Sequence, residues 1–459
     1  MGGAVARAVG RAQGVAARVP VAAEHRRVIK AALLVGTLTF GVRIAGLLRD
    51  MYVAAELGTG GAFEAYVVAL AIPTFVATIA GDAAAGALLP QIAQARAKRG
   101  EEAAQAVFAE MMVVAVGMMI VATAILAATP RLLLPLLASG FDQEKIALTV
   151  QLWMISLPVL LLVGAGTLWS GMLNSNDRFG LAAIAPLMVP IAGGGALLIA
   201  PHWHAYSLSV GFVVGTLLQT AIIGWGVRRQ GIRLRPAWHG LLPETRVALR
   251  QFLPLAANNV VFNALPVVDQ AMAATLGDRS VGILTYGSKI VLPLLAVSSL
   301  ALSTAAFPYL TRLVAEDDWH GLRKTMRTYT ALIFGVAVPG VILLALASEP
   351  IVRILFERGE FTARDTTDVA RVQAMLALMI PFATVGALYS RILISAGAGR
   401  LLMYASTFVF FLNLVGDYVL KGWIGVEGIA LASVVNYIVQ AAFLTLAIRS
   451  VWRKKLTAS

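Results

Sequence analysis

The chain contains no cysteine among its 459 residues. A protein without cysteine forms no disulfide, offers no thiolate to a metal and has no thiol nucleophile. The absence excludes a disulfide-stabilised domain and cysteine-dependent catalysis, while the redox compartment stays open.

Charged residues are also scarce. They make up 13% of the sequence against 59% for hydrophobic residues, and the mean hydropathy is +0.81. Apolar segments of the roughly 20 residues that a helix needs to cross a bilayer recur from residue 29 almost to the end. The run 111-MMVVAVGMMIVATAILAA-128 is apolar on every side, which is typical of a membrane helix. We therefore expect an all-α polytopic membrane protein.

Acidic residues are fewer than basic ones, 24 against 37, which gives a net charge of +13. The basic residues cluster in short loops between apolar runs and are not interleaved with aromatic residues, so we expect no nucleic-acid partner. The clusters are 96-RAKR-99, 228-RRQGIRLR-235, 323-RKTMR-327 and 453-RKK-455. Because basic loops remain on the cytoplasmic side of a membrane, both termini are expected in the cytoplasm.

Breaks of glycine, proline and charge divide the apolar sequence into twelve predicted spans. They cover residues 29–57, 61–95, 103–129, 143–174, 179–200, 204–228, 244–276, 279–315, 319–348, 362–396, 400–421 and 425–451. The predicted domains are a basic cytoplasmic tail (1–28), a first six-helix lobe (29–228), a cytoplasmic linker (229–243), a second six-helix lobe (244–452) and a cytoplasmic tail (453–459).

The two predicted lobes resemble each other in sequence. The stretch 50-DMYVAAELG-58 aligns with 269-DQAMAATLG-277, and 155-ISLPVLLLVGAGTLWSGMLNSNDR-178 resembles 378-LMIPFATVGALYSRILISAGAGRL-401. Six spans are thus followed by six related spans in the same orientation, a parallel pseudo-two-fold repeat. Transporters with such repeats hold their substrate between two lobes that move against each other.

Charged residues inside a span cost about 2.5–3.5 kcal/mol each at the membrane centre, so they should face the interior or a watery cavity. We single out Arg43, Arg49 and Asp50 in span one, Asp82 in span two and Lys289 in span eight. Helix geometry places Arg43 and Asp50 on one face and directs Arg49 well away from them. Two interpretations remain open: a cationic cavity for phosphate or pyrophosphate, and a buried Arg49–Asp50–Lys289 network that only fixes helix register.

A second polar group is expected in the second lobe. Asp269 takes the place of Asp50 in the repeat, and Asn413 and Asp417 share one face of span eleven. These oxygens suit a hard monovalent cation, but the residues could equally act as clamps between helices.

Motifs for catalysis are weak. His202 and His204 lack a third metal ligand, and the turn 397-GAGR-400 has no strand–loop–helix context that would bind phosphate. A membrane glycosyltransferase would need an acidic pair or metal motif on a long outer loop, and no predicted outer loop is long enough. We therefore expect no enzymatic activity and keep a glycosyltransferase as the least favoured alternative.

Two motifs identify a family. The stretches 40-FGVRIAGLLRDMYVAAELG-58 and 354-ILFERGEFTARDT-366 resemble the opening helix and the segment before span ten of the MurJ/MviN lipid II flippases. That family belongs to the multidrug/oligosaccharidyl-lipid/polysaccharide exporter superfamily. The resemblance implies a V-shaped fold that carries a polyprenyl-pyrophosphate-linked saccharide, lipid II or a related lipid-linked oligosaccharide, to the periplasmic leaflet of the bacterial inner membrane by alternating access.

The resemblance also implies roles for the residues singled out above. It places Arg43, Arg49, Asp50, Asp82 and Lys289 in the substrate cavity, and it implies a sodium site at Asp269, Asn413, Asp417 and Ser433. Sodium as a coupling ion is then the one expected cofactor, the lipid-linked saccharide and the bilayer are the expected partners, and a monomer is expected. A cation-coupled multidrug exporter of the same superfamily remains the alternative, although it would favour an acidic or aromatic cavity.

Overall fold

The computed structural model describes residues 21–175, 179–238 and 240–456. Every regular element in these residues is helical, which confirms the predicted all-α class. Residues 1–20 of the predicted first tail and 457–459 of the second lie outside the described residues. The first helix begins at Val21 and so includes the last residues of the predicted tail.

The first half of the chain contains nine α-helices and two short 3-10 turns, at Ala185–Leu187 and Pro201–Trp203, in the described residues. The helices are α1 (Val21–Leu57), α2 (Gly61–Arg99), α3 (Glu101–Ala128), α4 (Pro130–Leu137), α5 (Gln143–Ser156), α6 (Pro158–Ser175), α7 (Phe179–Ile184), α8 (Met188–Ile199) and α9 (Ala205–Arg229).

The second half contains ten described helices. They are α10 (Pro243–Asn263), α11 (Leu265–Ala274), α12 (Ser280–Ala305), α13 (Phe307–Ala315), α14 (Trp319–Leu346), α15 (Ser348–Phe356), α16 (Ala363–Ala377), α17 (Ile380–Ser395), α18 (Gly399–Ile424) and α19 (Val426–Leu456).

The helices follow the predicted spans closely. Ten helical segments of the described chain are long and apolar enough to cross a membrane, and the pair α10–α11, bent by 43°, makes an eleventh. The remaining predicted span is α1, which is not among these helices. The chain is thus a multi-pass membrane protein, while the total of twelve spans stays a prediction.

Proline explains where predicted spans break. Pro158 begins α6 directly after α5, and Pro381 lies in the first turn of α17 directly after α16. Proline lacks the N–H that would continue a helix and clashes with the carbonyl four residues earlier. The predicted spans 143–174 and 362–396 therefore each consist of two helices.

The order of elements repeats along the chain. The 28-residue helix α3, the 8-residue α4 and the broken pair α5–α6 correspond to the 28-residue α14, the 9-residue α15 and the broken pair α16–α17. This order agrees with the sequence repeat. The exact limits of the two lobes and of the linker stay predictions.

One end of the helical bundle joins the two halves tightly. We call it the 58 end; it contains the turns at 58–60, 138–142, 275–279 and 357–362. Buried Glu64 of α2 forms an ion pair with Lys145, and its other oxygen accepts a hydrogen bond from Val281 N–H at 2.7 Å. Arg279 forms an ion pair with Asp365 of α16. These contacts hold the first turn of α12 against α2 and close the 58 end.

Close backbone packing supports this closure. A Cβ atom on Gly282 would lie 2.6 Å from the carbonyl oxygen of Thr59, so only glycine lets α12 approach the 58–60 turn this closely. Below the turn, the ring of Phe63 stacks on that of Tyr286 at 4.7 Å, and Tyr286 contacts Phe356 and Phe361. An aromatic cluster from both halves thus lies directly beneath the ion pairs.

The opposite end, which we call the 100 end, contains the turn at Gly100 and the predicted linker. The linker packs against the first half, with Ile232 buried. Glu110 of α3, fully buried, accepts hydrogen bonds from Leu242 N–H at 2.9 Å and from the Thr245 hydroxyl at 2.5 Å. The start of α10 is therefore fixed to α3 by a single carboxylate.

Candidate functional site

Three charged side chains from α1 and α12 meet between the two halves. Asp50 lies between two cations: its Oδ1 is 2.5 Å from Arg49 Nη2, and its Oδ2 is 2.7 Å from Lys289 Nζ. Asp50 is 8% exposed, whereas the Lys289 side chain is 27% exposed. We call these three residues the triad. It carries one net positive charge, and part of it remains accessible.

The triad lies beneath the closed 58 end. Lys289 is nine residues into α12, about 13 Å from its first residue, and Asp50 is seven residues before the end of α1, about 10 Å. The Phe63–Tyr286 stack occupies the level between the triad and the ion pairs of the 58 end. These contacts therefore close the triad off from the 58 end.

Glycines of α8 make room for Arg49. A Cβ atom on Gly193 would lie 3.3 Å from Arg49 Cδ, and one on Gly194 would lie 3.7 Å from Arg49 Cγ. The aliphatic part of the arginine thus packs on bare backbone, which leaves its guanidinium free to turn toward Asp50. Any larger residue at 193 would crowd this arrangement.

Two tyrosines that were not predicted from the sequence lie beside the triad. Tyr66 and Tyr286 are buried and lie within electrostatic reach of Arg49 and Asp50. The Tyr286 hydroxyl has no hydrogen-bond partner among the described residues. The spacing in 286-YGSK-289 puts this ring one turn from Lys289, a signal that could have been noticed.

The structure separates the remaining predicted cavity residues from the triad. Arg43 is exposed, and no ion pair connects it to another described residue. Asp82 is exposed too, and it lies 21 positions beyond the first residue of α2, about 30 Å toward the 100 end. The expectation that Arg49 would point away from Asp50 is wrong, because its long side chain folds back to form the ion pair. The predicted salt-bridge network is present, and a binding role stays a prediction.

The second predicted site is assembled between α11, α18 and α19. Ser433 Oγ donates to Asp269 Oδ2 at 3.3 Å, and Asn413 Nδ2 lies 3.5 Å from Asp417 Oδ1. Asn413 and Asp417 are 1% and 0% exposed. Asp269 lies near enough to interact electrostatically with Asp417. All four predicted residues are thus brought together.

Unsatisfied oxygens distinguish this site from ordinary helix packing. Asp269 Oδ1, Asn413 Oδ1 and Asp417 Oδ2 are buried and find no hydrogen-bond partner among the described residues. A buried carboxylate without a partner costs far more than one that is compensated by a cation or a proton. Two carboxylates and an amide oxygen fit a hard cation that prefers oxygen ligands. The residues therefore fit the implied sodium ion.

Comparisons with known proteins identify a family. A family model described as "Lipid II flippase MurJ" matches residues 53–457. A protein of Rhizobium tropici named "Probable lipid II flippase MurJ" is 29% identical over 363 residues, which cover 77% of this chain and 68% of that protein.

Two solved structures share the fold. A structure titled "Lipid II flippase MurJ, inward closed conformation" matches with a TM-score of 0.78 at 21% identity, covering 91% of this chain and 87% of that one. An inward-facing multidrug resistance MATE family transporter of the MOP superfamily matches with a TM-score of 0.74 at 14% identity, covering 91% of this chain and 99% of that one. At these identities the likeness concerns the fold.

Proposed function

Because the chain belongs to the lipid II flippase MurJ family, we propose that it carries a polyprenyl-pyrophosphate-linked saccharide, lipid II or a related lipid-linked oligosaccharide, across the bacterial inner membrane. The observation that supports this cargo is the triad, in which one carboxylate holds two cations beneath a closed end of the bundle. The protein acts as a carrier without covalent chemistry.

Pyrophosphate suits the triad by charge and geometry. Arginine presents a planar fork that matches phosphate oxygens, and lysine adds a compact ammonium. Both cations are already partly exposed, and to bind the ligand they need only replace their contacts to Asp50 with contacts to the phosphate oxygens. Asp50 keeps the two cations apart and oriented while no substrate is bound, and this lowers the cost of placing them between the lobes.

The charge balance argues against the multidrug exporter. A carrier of organic cations would present carboxylates to its cargo, whereas here the one carboxylate of the triad is shared by two cations. The likeness to the MATE transporter extends over the fold only.

Alternating access follows from the closed 58 end. Cargo enters from the 100 end and leaves once the contacts of Glu64, Arg279 and Phe63 separate. The resulting rocking of two repeated halves is the motion expected of this architecture.

Complementation tests the proposed cargo. The gene should restore growth to a bacterium depleted of its own lipid II flippase, and lipid II should cease to accumulate in the cytoplasmic leaflet. A Lys324→Ala variant, altered at an exposed lysine away from the triad, should complement equally. Failure of the wild-type chain, although it is present in the membrane, would exclude lipid II and leave a different lipid-linked saccharide as cargo.

A monovalent cation, sodium in particular, is proposed to stabilise one conformation of the second half. Asp269, Asn413, Asp417 and Ser433 would hold it, and it would supply the positive charge that the buried carboxylates lack. A cation shifts the conformational equilibrium only by its difference in affinity for the two states.

The proposed orientation places the 100 end and both termini in the cytoplasm. The basic clusters of the loops lie at that end. Because the chain lacks cysteine, single cysteines can report its topology. A Gln143→Cys variant at the 58 end should react with a membrane-impermeant maleimide in spheroplasts. An Arg235→Cys variant in the linker should react only after detergent is added. The reverse pattern would invert the proposed direction of transport.

A further inference from the structure

We propose that Lys421 gates the cation site from the 58 end and weakens cation binding until it moves aside. The inference rests on the proposed cation site at Asp269 and Asp417. It adds the route by which the ion arrives and the side chain that controls it.

Two rows of side chains face each other along α11 and α18. Asp269 and Met272 of α11 and Thr275, the residue after its end, follow each other at intervals of three. Asn413, Asp417 and Lys421 follow at intervals of four along α18. Residues at these spacings lie on one face of a helix. The unsatisfied oxygens form the deep part of both rows, and Lys421 with Thr275 forms the part nearest the 58 end.

Lys421 joins the two rows across the route to the site. Its Nζ donates to the Thr275 hydroxyl at 2.6 Å and lies 3.4 Å from the sulfur of Met272. Both partners are neutral; Met272 belongs to α11, and Thr275 directly follows its last residue. The lysine is thus held one turn above Asp417, between the carboxylates and the end of the bundle.

The proposed cation site lies closer to the 58 end than to the 100 end. Asp417 is seven residues from the last residue of α18, about 10 Å, whereas Asn413 is 14 residues from its first, about 21 Å. An ion that enters from the 58 end must pass the ammonium of Lys421, which repels it. Once Lys421 releases Thr275 and turns outward, both the obstruction and part of the repulsion disappear.

The sodium dependence of thermal unfolding tests this gate. Sodium is exchanged for choline at constant ionic strength, and the sodium concentration giving half of the stabilisation is determined. The Lys421→Gln and Lys421→Met variants should shift that midpoint about tenfold lower, the order expected when a like charge is removed from several ångströms away in partly hydrated protein. Lys421→Arg should keep the wild-type midpoint, since the charge remains. Arg131→Gln, which removes an exposed charge at the same end but in the other half, serves as the matched control.

The outcomes separate the gate from the site. A lower midpoint in both neutral variants, or a sodium response that appears only in them, supports the gate. Equal midpoints in all variants overturn the gate and leave the cation site intact. No sodium response in any variant overturns the site and the gate together. A changed melting temperature in choline with an unchanged sodium midpoint shows that Lys421 only joins two helices, which also overturns the proposal.

Discussion

Replacing Lys289 or Arg49 with alanine is expected to reduce transport severely while the protein stays folded in the membrane. Each change removes one of the two cations that the pyrophosphate would contact, and leaves Asp50 paired with the other. Truncating one partner of a buried charge pair typically costs about 2–5 kcal/mol. The partial exposure of both cations favours the lower end of that range, roughly a thirtyfold loss of affinity.

The conservative variants sharpen this expectation. Arg49→Lys should also impair transport, because an ammonium cannot bind two phosphate oxygens as a planar fork does. Lys289→Arg should be tolerated better, since the longer side chain keeps a donor in the same place. Transport is measured in vesicles as the fraction of lipid-linked saccharide that becomes accessible on the side of the membrane that the 58 end of the protein faces. Lys324→Ala again provides the matched control.

Stability measurements separate binding from helix register. If the triad only fixes the register of α1 against α12, Arg49→Ala should lower the melting temperature and leave the transport of the surviving protein unchanged. Full transport by Arg49→Ala at normal protein levels would falsify the binding role.

Removing the carboxylate of Asp417 is expected to have the second large effect. A ligand present at 100 times its dissociation constant stabilises the folded state by about 2.7 kcal/mol. Wild-type protein should therefore melt at a higher temperature in sodium than in potassium or choline at equal ionic strength. Asp417→Asn should lose this increment and most of its transport, since one of two buried carboxylates can no longer balance the cation.

The same variant should be more stable than wild-type protein in choline. Without a cation, Asp269 and Asp417 are two buried carboxylates close together, and neutralising one relieves their repulsion. Glu427→Gln, which removes a partly exposed carboxylate from the first turn of α19, provides the control and should keep the sodium increment. Identical melting curves in all three salts, with normal transport by Asp417→Asn, would leave these residues as clamps between helices.

The helices were predictable from the sequence because each span depends on the residues within it and not on distant contacts. Apolar length marks a membrane helix wherever the chain places it, and Pro158 and Pro381 break their spans by their own chemistry. The polar cluster of the second half was also predictable, since Asn413 and Asp417 belong to one helix and Asp269 takes the place of Asp50 in the repeat.

Contacts between residues far apart in the chain could not be predicted from the sequence in this way. Glu64 and Glu110 are both fully buried, yet each sits in an ordinary helical context in the sequence. The partners of Glu64 at the start of α12 lie 217 and 218 positions away. The position of the Arg49 guanidinium was not predictable for a related reason. Backbone geometry fixes the direction in which the Arg49 side chain leaves α1. The position of its guanidinium depends on the glycines of α8, which are far along the chain.

The buried carboxylate of Glu110 has a consequence for biogenesis. Its partners, Leu241, Leu242 and Thr245, lie 131 to 135 positions further along the chain. A ribosome that adds about 5–20 residues per second needs many seconds to deliver them after α3 has been made. During that interval α3 carries an acid with no partner, so its final seating in the membrane has to await the linker. A fragment that ends after α9 should therefore insert less stably in the membrane than the full chain, and membrane proteases should degrade it faster.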